Sequence, residues 1–166
     1  TSDNGGHPVY SANGPLRGSK WNLYEGGVRV PWIVRWPGRV PAGRVSGASF
    51  IGTDLLPTLA AATGAELPRD VTLDGRDVLP LWLGTAEAEP ERAFTWHFPY
   101  YHPETGYGDA RPAIGVDDFA VSQTRPHSAL RVGRWKLLHF YEDDRDQLYD
   151  LAADPSEHHD LAAADP

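Results

Sequence analysis

The sequence predicts an α/β portion joined to a small antiparallel-sheet subdomain, and three observations predict it. Residues 1–90 run from a glycine-rich polar loop into an alternating apolar stretch and then a helix-like stretch. Residues 85–92 are small and acidic and carry Pro90, which marks a boundary. Residues 91–166 read as short strands separated by tight turns.

Thr1 to Gly27 holds Asn4-Gly5-Gly6, Asn13-Gly14-Pro15 and Gly26-Gly27, and reads as a long ordered loop. Loops of that length without secondary structure are usually functional or disordered, and the Trp-bearing apolar segments beside it argue for order. Val28 to Trp36 reads as a strand. Val30, Trp32, Val34 and Trp36 alternate with Arg29, Ile33 and Arg35, and Pro31 confines the strand to an edge or to its first residues. Thr53 to Thr63 reads as a helix with Asp54 as N-cap and Pro57 at N3, where a missing N–H costs nothing. Gly64 is its stop, and Leu55, Leu56, Leu59 and Ala60 form its apolar face. Asp74 to Leu83 holds at most a turn of helix. Ala93 to Phe98, Ser128 to Val132, Trp135 to Tyr141 and Gln147 to Leu151 read as strands. Gly133-Arg134 suits a type II′ hairpin turn, Glu142 to Asp146 a charged turn, and Asp154-Pro155-Ser156-Glu157 a terminal helical turn. Trp135 and Tyr149 are expected in the core of the small sheet.

Composition narrows function. The net charge of −8 makes general nucleic-acid binding a poor reading. An anionic ligand would need local cations or a metal to reverse the field. With no cysteine, disulfides, thiolate catalysis and Cys-based zinc sites are excluded. No apolar run approaches the ~20 residues of a membrane span. With no methionine, Thr1 is not expected to be a translation start. The compartment, whether periplasmic, secreted or cytoplasmic, stays open.

Two small groups carry candidate chemistry. Asp3-Asn4 offers a carboxylate and an amide oxygen, the hard ligands of calcium and magnesium, or else simply opens a tight Asn-Gly turn. Lys20 lies among small residues in Pro15-Leu16-Arg17-Gly18-Ser19-Lys20, where it can meet an anion's oxygens or sit solvated at the surface. The acidic pair, the glycine-rich loop and the cations Arg17, Lys20 and Arg29 together describe an anion-plus-divalent-metal site built on loops at a sheet's end. His97, Tyr100 and His102 either line a substrate pocket or pack as an aromatic edge. His7 either reaches the metal loop or, the favoured reading, lies at the surface, and His158-His159 are read as solvated.

Several stretches resemble one family in order along the chain. Thr1-Ser2-Asp3-Asn4-Gly5-Gly6-His7, Pro15 to Lys20, Tyr24-Glu25-Gly26-Gly27-Val28-Arg29-Val30-Pro31 and Trp36-Pro37-Gly38 resemble the calcium-ligand and lysine region of type I, formylglycine-dependent sulfatases. Asp54-Leu55-Leu56-Pro57-Thr58-Leu59 resembles the helix that follows there. Trp96-His97-Phe98-Pro99-Tyr100-Tyr101-His102, Leu130 to Leu138, and Leu148-Tyr149-Asp150-Leu151 with Asp154-Pro155 and Glu157 resemble the family's C-terminal subdomain.

The resemblance implies an alkaline-phosphatase-like α/β fold, residues 1–90 being the C-terminal portion of its catalytic domain and residues 91–166 a small antiparallel-sheet subdomain. It implies hydrolysis of sulfate esters, with Asp3 and Asn4 as calcium ligands and Lys20 contacting the sulfate. The expected partners are a sulfated small molecule or glycan and the N-terminal remainder of the same protein. The family's Cys/Ser-x-Pro-x-Arg nucleophile motif and its Lys-x-His segment do not occur in these residues, and its upstream Asp-Asp pair, which supplies further metal oxygens, is not found among them either. They are expected upstream, so the 166 residues alone are expected to be inactive and to bind calcium weakly. Two other readings remain. One is a phosphonate or phosphate monoester hydrolase of the same superfamily. The other is a non-catalytic carbohydrate-binding module using Trp96 to Tyr107.

Overall fold

A computed structural model describes residues 1–7, 10–87, 91–99, 101 and 125–164. Tyr100 and His102 lie outside the described residues. The chain divides into two compact units, Thr1–Pro31 with Glu91–Pro166, and Trp32–Pro90. Residues 1–31 thus group with the sheet, whereas the sequence reading joins them to residues 32–90.

The first unit is built on a four-stranded antiparallel meander, ordered β1-β2-β3-β4. Its strands are β1 (Ala93–Phe98), β2 (His127–Val132), β3 (Trp135–Phe140) and β4 (Arg145–Asp150). The β2–β3 turn pairs Val132 with Trp135 across two residues. Gly133 has φ of 56° while Arg134 does not enter the positive range, which is the type II′ pattern. At the β3–β4 turn Asp144 takes the left-handed conformation, which short polar side chains tolerate.

Side-chain alternation sets the two sheet faces. One face carries Phe94, Trp96 and Phe98, then His127 and Ala129, then Lys136, Leu138 and Phe140, then Gln147 and Tyr149, nearly all buried. Leu23 and Tyr24 from the N-terminal loop close over this face and join Ala129, Leu138, Phe140, Tyr149 and Leu151 in the core. His127 is fully buried and stacks on Phe140 at 5.2 Å. Its Nε2 accepts the Leu23 N–H at 3.1 Å, so its proton sits on Nδ1 and is donated to the Arg125 carbonyl at 2.8 Å. Leu130, Val132, Trp135 and Leu137 fall on the opposite face and are more than one-third exposed. Trp135 is therefore not the core residue its size suggests, because its parity in β3 opposes that of Lys136.

The N-terminal loop contains one helical turn, α1 (Glu25–Val28). The stretch expected to be a strand from Val28 to Trp36 does not pair. Its residues alternate between exposed and half-buried from 29 to 36, but they form no ladder among the described residues. Alternation alone does not make a strand, which needs a partner as well.

In the second unit a 3₁₀ turn, Gly52–Asp54, leads into α2 (Leu55–Thr63), which ends at Gly64 with φ of 74°. Asp54 does not cap forward. Its buried carboxylate accepts the N–H groups of Ile51 and Arg76, each at 2.9 Å, and so ties two loops to the helix start. Pro57, Thr58 and Ala60 are the buried face of α2. Leu56 and Leu59, expected to face inward, are 55% and 49% exposed. Val78 instead packs toward the Thr58 side and donates its N–H to Thr58 Oγ1 at 2.9 Å. A last short helix, α3 (Leu79–Leu83), ends at Gly84, and Arg44 donates to the carbonyls of Leu81 and Ala86.

Candidate functional site

The glycine-rich loop folds by main-chain bonds that few other residues would permit. Gly5 N–H donates to Gly27 O at 2.8 Å, and Lys20 N–H to Gly6 O at 3.0 Å. Asn13 staples the same loops. Its Oδ1 accepts Gly6 N–H at 2.8 Å, and its amide donates to Gly6 O and Gly18 O. A Cβ on Gly5 would lie 1.7 Å from Gly26 O, and one on Gly26 would lie 2.3 Å from Gly18 O. These backbones touch, so only glycine fits.

The fold brings Asn4, Lys20 and Arg29 to the wall of one open pocket of about 340 Å³, together with Ser2 and His7. Lys20 is half-buried, and its ammonium stands 5.0 Å from the centre of the Trp21 ring. Among the described residues no carboxylate lies within ion-pair distance of Lys20. Arg29 reaches Glu25 at 3.6 Å and is about half exposed. His7 is held between Tyr10 and Trp21 at 4.7 and 4.8 Å. A cationic, polar concavity of this kind can take an anion.

Asp3 is exposed, next to Asn4 but not on the pocket wall, and its carboxylate accepts the Ser2 hydroxyl at 3.3 Å. Among the described residues no group of three His, Cys, Asp or Glu gathers as a metal site. His97 is elsewhere, on the outer sheet face. Its Nδ1 meets Ser128 Oγ at 2.7 Å, and Ser128 meets the Tyr141 hydroxyl at 2.8 Å. His97, Ser128 and His139 line a second open pocket of about 360 Å³ with Trp96, Leu130 and Leu137. The sheet therefore does not bring His97 to the pocket of Asn4 and Lys20. His158 and His159 are exposed, as expected.

Behind the first pocket lies a buried ionic cluster that sequence reasoning missed. Lys136 has no exposed surface, and its Nζ lies 2.9 Å from both Glu25 Oε1 and Glu157 Oε1. Glu157 Oε2 also accepts the Glu25 backbone N–H at 2.6 Å. Burial pushes the Glu157 carboxyl above its ordinary value, against the opposing pull of Lys136. Arg17 does not face the pocket ligands. It stacks 4.1 Å over the Tyr24 ring and donates to the Tyr149 hydroxyl and the Glu157 carbonyl, each at 3.1 Å. Burial pushes the Tyr149 hydroxyl up to about 12, partly countered by Arg17. The available signal was parity. Lys136 sits in register with inward-facing Leu138 and Phe140, and a lysine on a core face needs buried carboxylates.

The model for the family described as N-sulphoglucosamine sulphohydrolase, C-terminal, matches residues 19–165. Rat (Rattus norvegicus) steryl-sulfatase is 32% identical over 97% of the chain, which covers 30% of that protein. A solved structure of a protein with its substrate D-glucosamine-2-N,6-O-disulfate aligns with TM-score 0.60 and 28% identity, over 82% of this chain and 24% of that one. A phosphonate monoester hydrolase from Silicibacter pomeroyi aligns with TM-score 0.58 and 26% identity, over 89% of this chain and 27% of that one. The chain thus spans less than a third of each of these relatives.

Proposed function

The chain belongs to the N-sulphoglucosamine sulphohydrolase C-terminal family, and from that premise we propose that the whole protein hydrolyses sulfate esters of a carbohydrate or aryl substrate. Its fold is that of the C-terminal part of an alkaline-phosphatase-like sulfatase, with an antiparallel-sheet subdomain. In the intact enzyme residues 1–90 complete the catalytic domain and residues 91–166 form the appended subdomain. The observation that carries the reading is that Asn4 and Lys20, sixteen positions apart, line one pocket through two main-chain bonds between their loops.

From the pocket wall the Lys20 ammonium would oppose the charge on a sulfate ester's oxygens and on the leaving oxygen. A fixed cation at such a point stabilises the transition state more than the ground state, because the charge grows there. Arg29, on the same wall, adds to the field that draws the anion in. Asp3 and Asn4 are the residues that would hold calcium. A carboxylate and an amide oxygen suit a hard cation, but two ligands fall short of the 6–8 oxygens calcium takes, so the rest belong to the remainder of the protein. Calcium, when bound, would supply Lewis-acid stabilisation of negative charge beside the ester. The nucleophile, read as a formylglycine, also belongs to that remainder. His97 is offered as a substrate contact only for a group long enough to reach the outer face of the sheet.

In the full-length protein Lys20→Ala should lower turnover of a sulfate ester by about 10²–10³-fold with the melting curve unchanged. Near-normal turnover removes Lys20 from the role. The structural likeness to a phosphonate monoester hydrolase supports a second reading on the same site. Comparing kcat/KM for matched sulfate and phosphonate monoesters on the intact enzyme separates the two.

A further inference from the structure

We propose that Lys136 is a positioning residue for the pocket, holding the loop of Asn4 and Lys20 in place through Glu25 and Glu157. The proposal rests on the sulfatase reading for its activity readout, but the geometry stands without it.

Lys136 Nζ grips Glu25 and Glu157 at 2.9 Å each. Glu25 opens α1, and its own N–H is taken by Glu157 Oε2 at 2.6 Å. The next residue, Gly26, donates to Arg17 O at 2.6 Å, and Gly27 O receives Gly5 N–H at 2.8 Å. Gly5 follows Asn4 in the chain, and Gly6 O receives the Lys20 N–H. Glu157 acts twice, since its carbonyl also receives Arg17 at 3.1 Å. An unbroken series of bonds therefore runs from a β3 lysine to the two side chains on the pocket wall.

Stability alone is a poor reason for this cluster. Buried ion pairs can often be replaced by apolar residues of similar size without loss. What an ionic cluster supplies that an apolar patch does not is direction, because Lys136 fixes Glu25 Oε1 and the Glu25 N–H fixes Glu157 Oε2. Asn13, Leu23 and Tyr24 anchor the same loop ahead of α1, so the cluster is what fixes α1 itself. α1 is a single turn, and its glycines present no side chains to pack. A misplacement of about 1 Å at a reacting centre can cost on the order of 10²-fold in rate.

The test uses the full-length protein in three forms: wild type, Lys136→Met, and the neutral triple variant Lys136→Met/Glu25→Gln/Glu157→Gln. The single variant strands two buried carboxylates and should melt lower. The triple variant should regain most of the melting temperature. Positioning requires that its kcat for a sulfate ester stay at least about tenfold below wild type, with KM within about threefold. It also requires faster amide hydrogen exchange at Gly5, Lys20 and Gly26, with exchange in β2 and β3 unchanged. If kcat returns to wild type along with the melting temperature, the cluster is merely structural and the proposal fails. It fails equally if exchange at those three amides does not change. Should wild type hydrolyse no sulfate ester, the sulfatase reading falls, and the exchange result decides the positioning role by itself.

Discussion

Lys136 faces Glu25 and Glu157 in a space closed to water. Its removal leaves their charge uncompensated there, apart from Arg131 and Arg29 at 3.8 and 3.6 Å from Glu25. Lys136→Met should therefore cost about 3–5 kcal/mol, read as a fall in the denaturant midpoint of the intact protein. A cost below about 1 kcal/mol would show that water or the arginines take over. Tyr149 carries a second consequence of burial. Its hydroxyl is pushed up to about 12 from an ordinary 10, so the folded state holds the phenolic proton more tightly than the unfolded chain does. That stabilisation is complete below about pH 10 and is lost as pH rises through the folded value near 12. Tyr149→Phe cannot titrate and should show a flatter decline across that window. Equal slopes for the two proteins in denaturant titrations at matched pH would refute the assignment.

Among the elements, the glycine loop is the one whose geometry tolerates least. A methyl on Gly5 would sit 1.7 Å from Gly26 O, a backbone atom that cannot turn aside. Gly5→Ala should push the Asn4 segment off α1, break the Gly5–Gly27 bond and lower turnover in the full-length enzyme by about 10²-fold. A kinetic assay on that variant with wild-type kcat would mean that the two loops can separate without harm. The four strands and their II′ turn were legible in the sequence to within two residues at each end, because strand parity and turn chemistry are local. The segment 29–36 shows where local reading stops. Its apolar alternation does reappear as alternating burial, but ladder pairing depends on residues far away in sequence. Leu56 and Leu59 mislead for the same reason, since only the packing partner decides which stripe of a helix is inner. At the pocket, residue type and spacing singled out Asn4 and Lys20. Nothing in Arg17's neighbourhood foretold that it turns inward to Tyr149 and Glu157, and the ionic cluster joins Glu25 to Lys136 and Glu157, 111 and 132 positions away.

Taken as a whole, the described residues hold a cationic pocket lined by Asn4, Lys20 and Arg29, and the proposed reading makes it one part of a larger catalytic centre. On the proposed reading Asp3 and Asn4 would give two oxygen ligands where calcium takes 6–8, and no Cys/Ser-x-Pro-x-Arg motif occurs in the sequence. The run at 30–35 has no ladder among the described residues, and unpaired backbone groups there would in an isolated chain invite self-association. Each deficit lies on a different link of the chain of cause: ligand count limits affinity, the missing motif limits chemistry, and the unpaired run limits solubility. Expressed alone, the 166 residues should thus show no sulfatase turnover and should bind calcium more weakly than micromolar. Calorimetry with calcium checks the affinity, and an ester assay run with excess calcium checks the chemistry independently. Sub-micromolar binding would mean that the chain closes a calcium site from its own oxygens. Turnover that persists in the Lys20→Ala form of the same chain would mean that some other group, outside the Asn4–Lys20 pocket, performs the reaction.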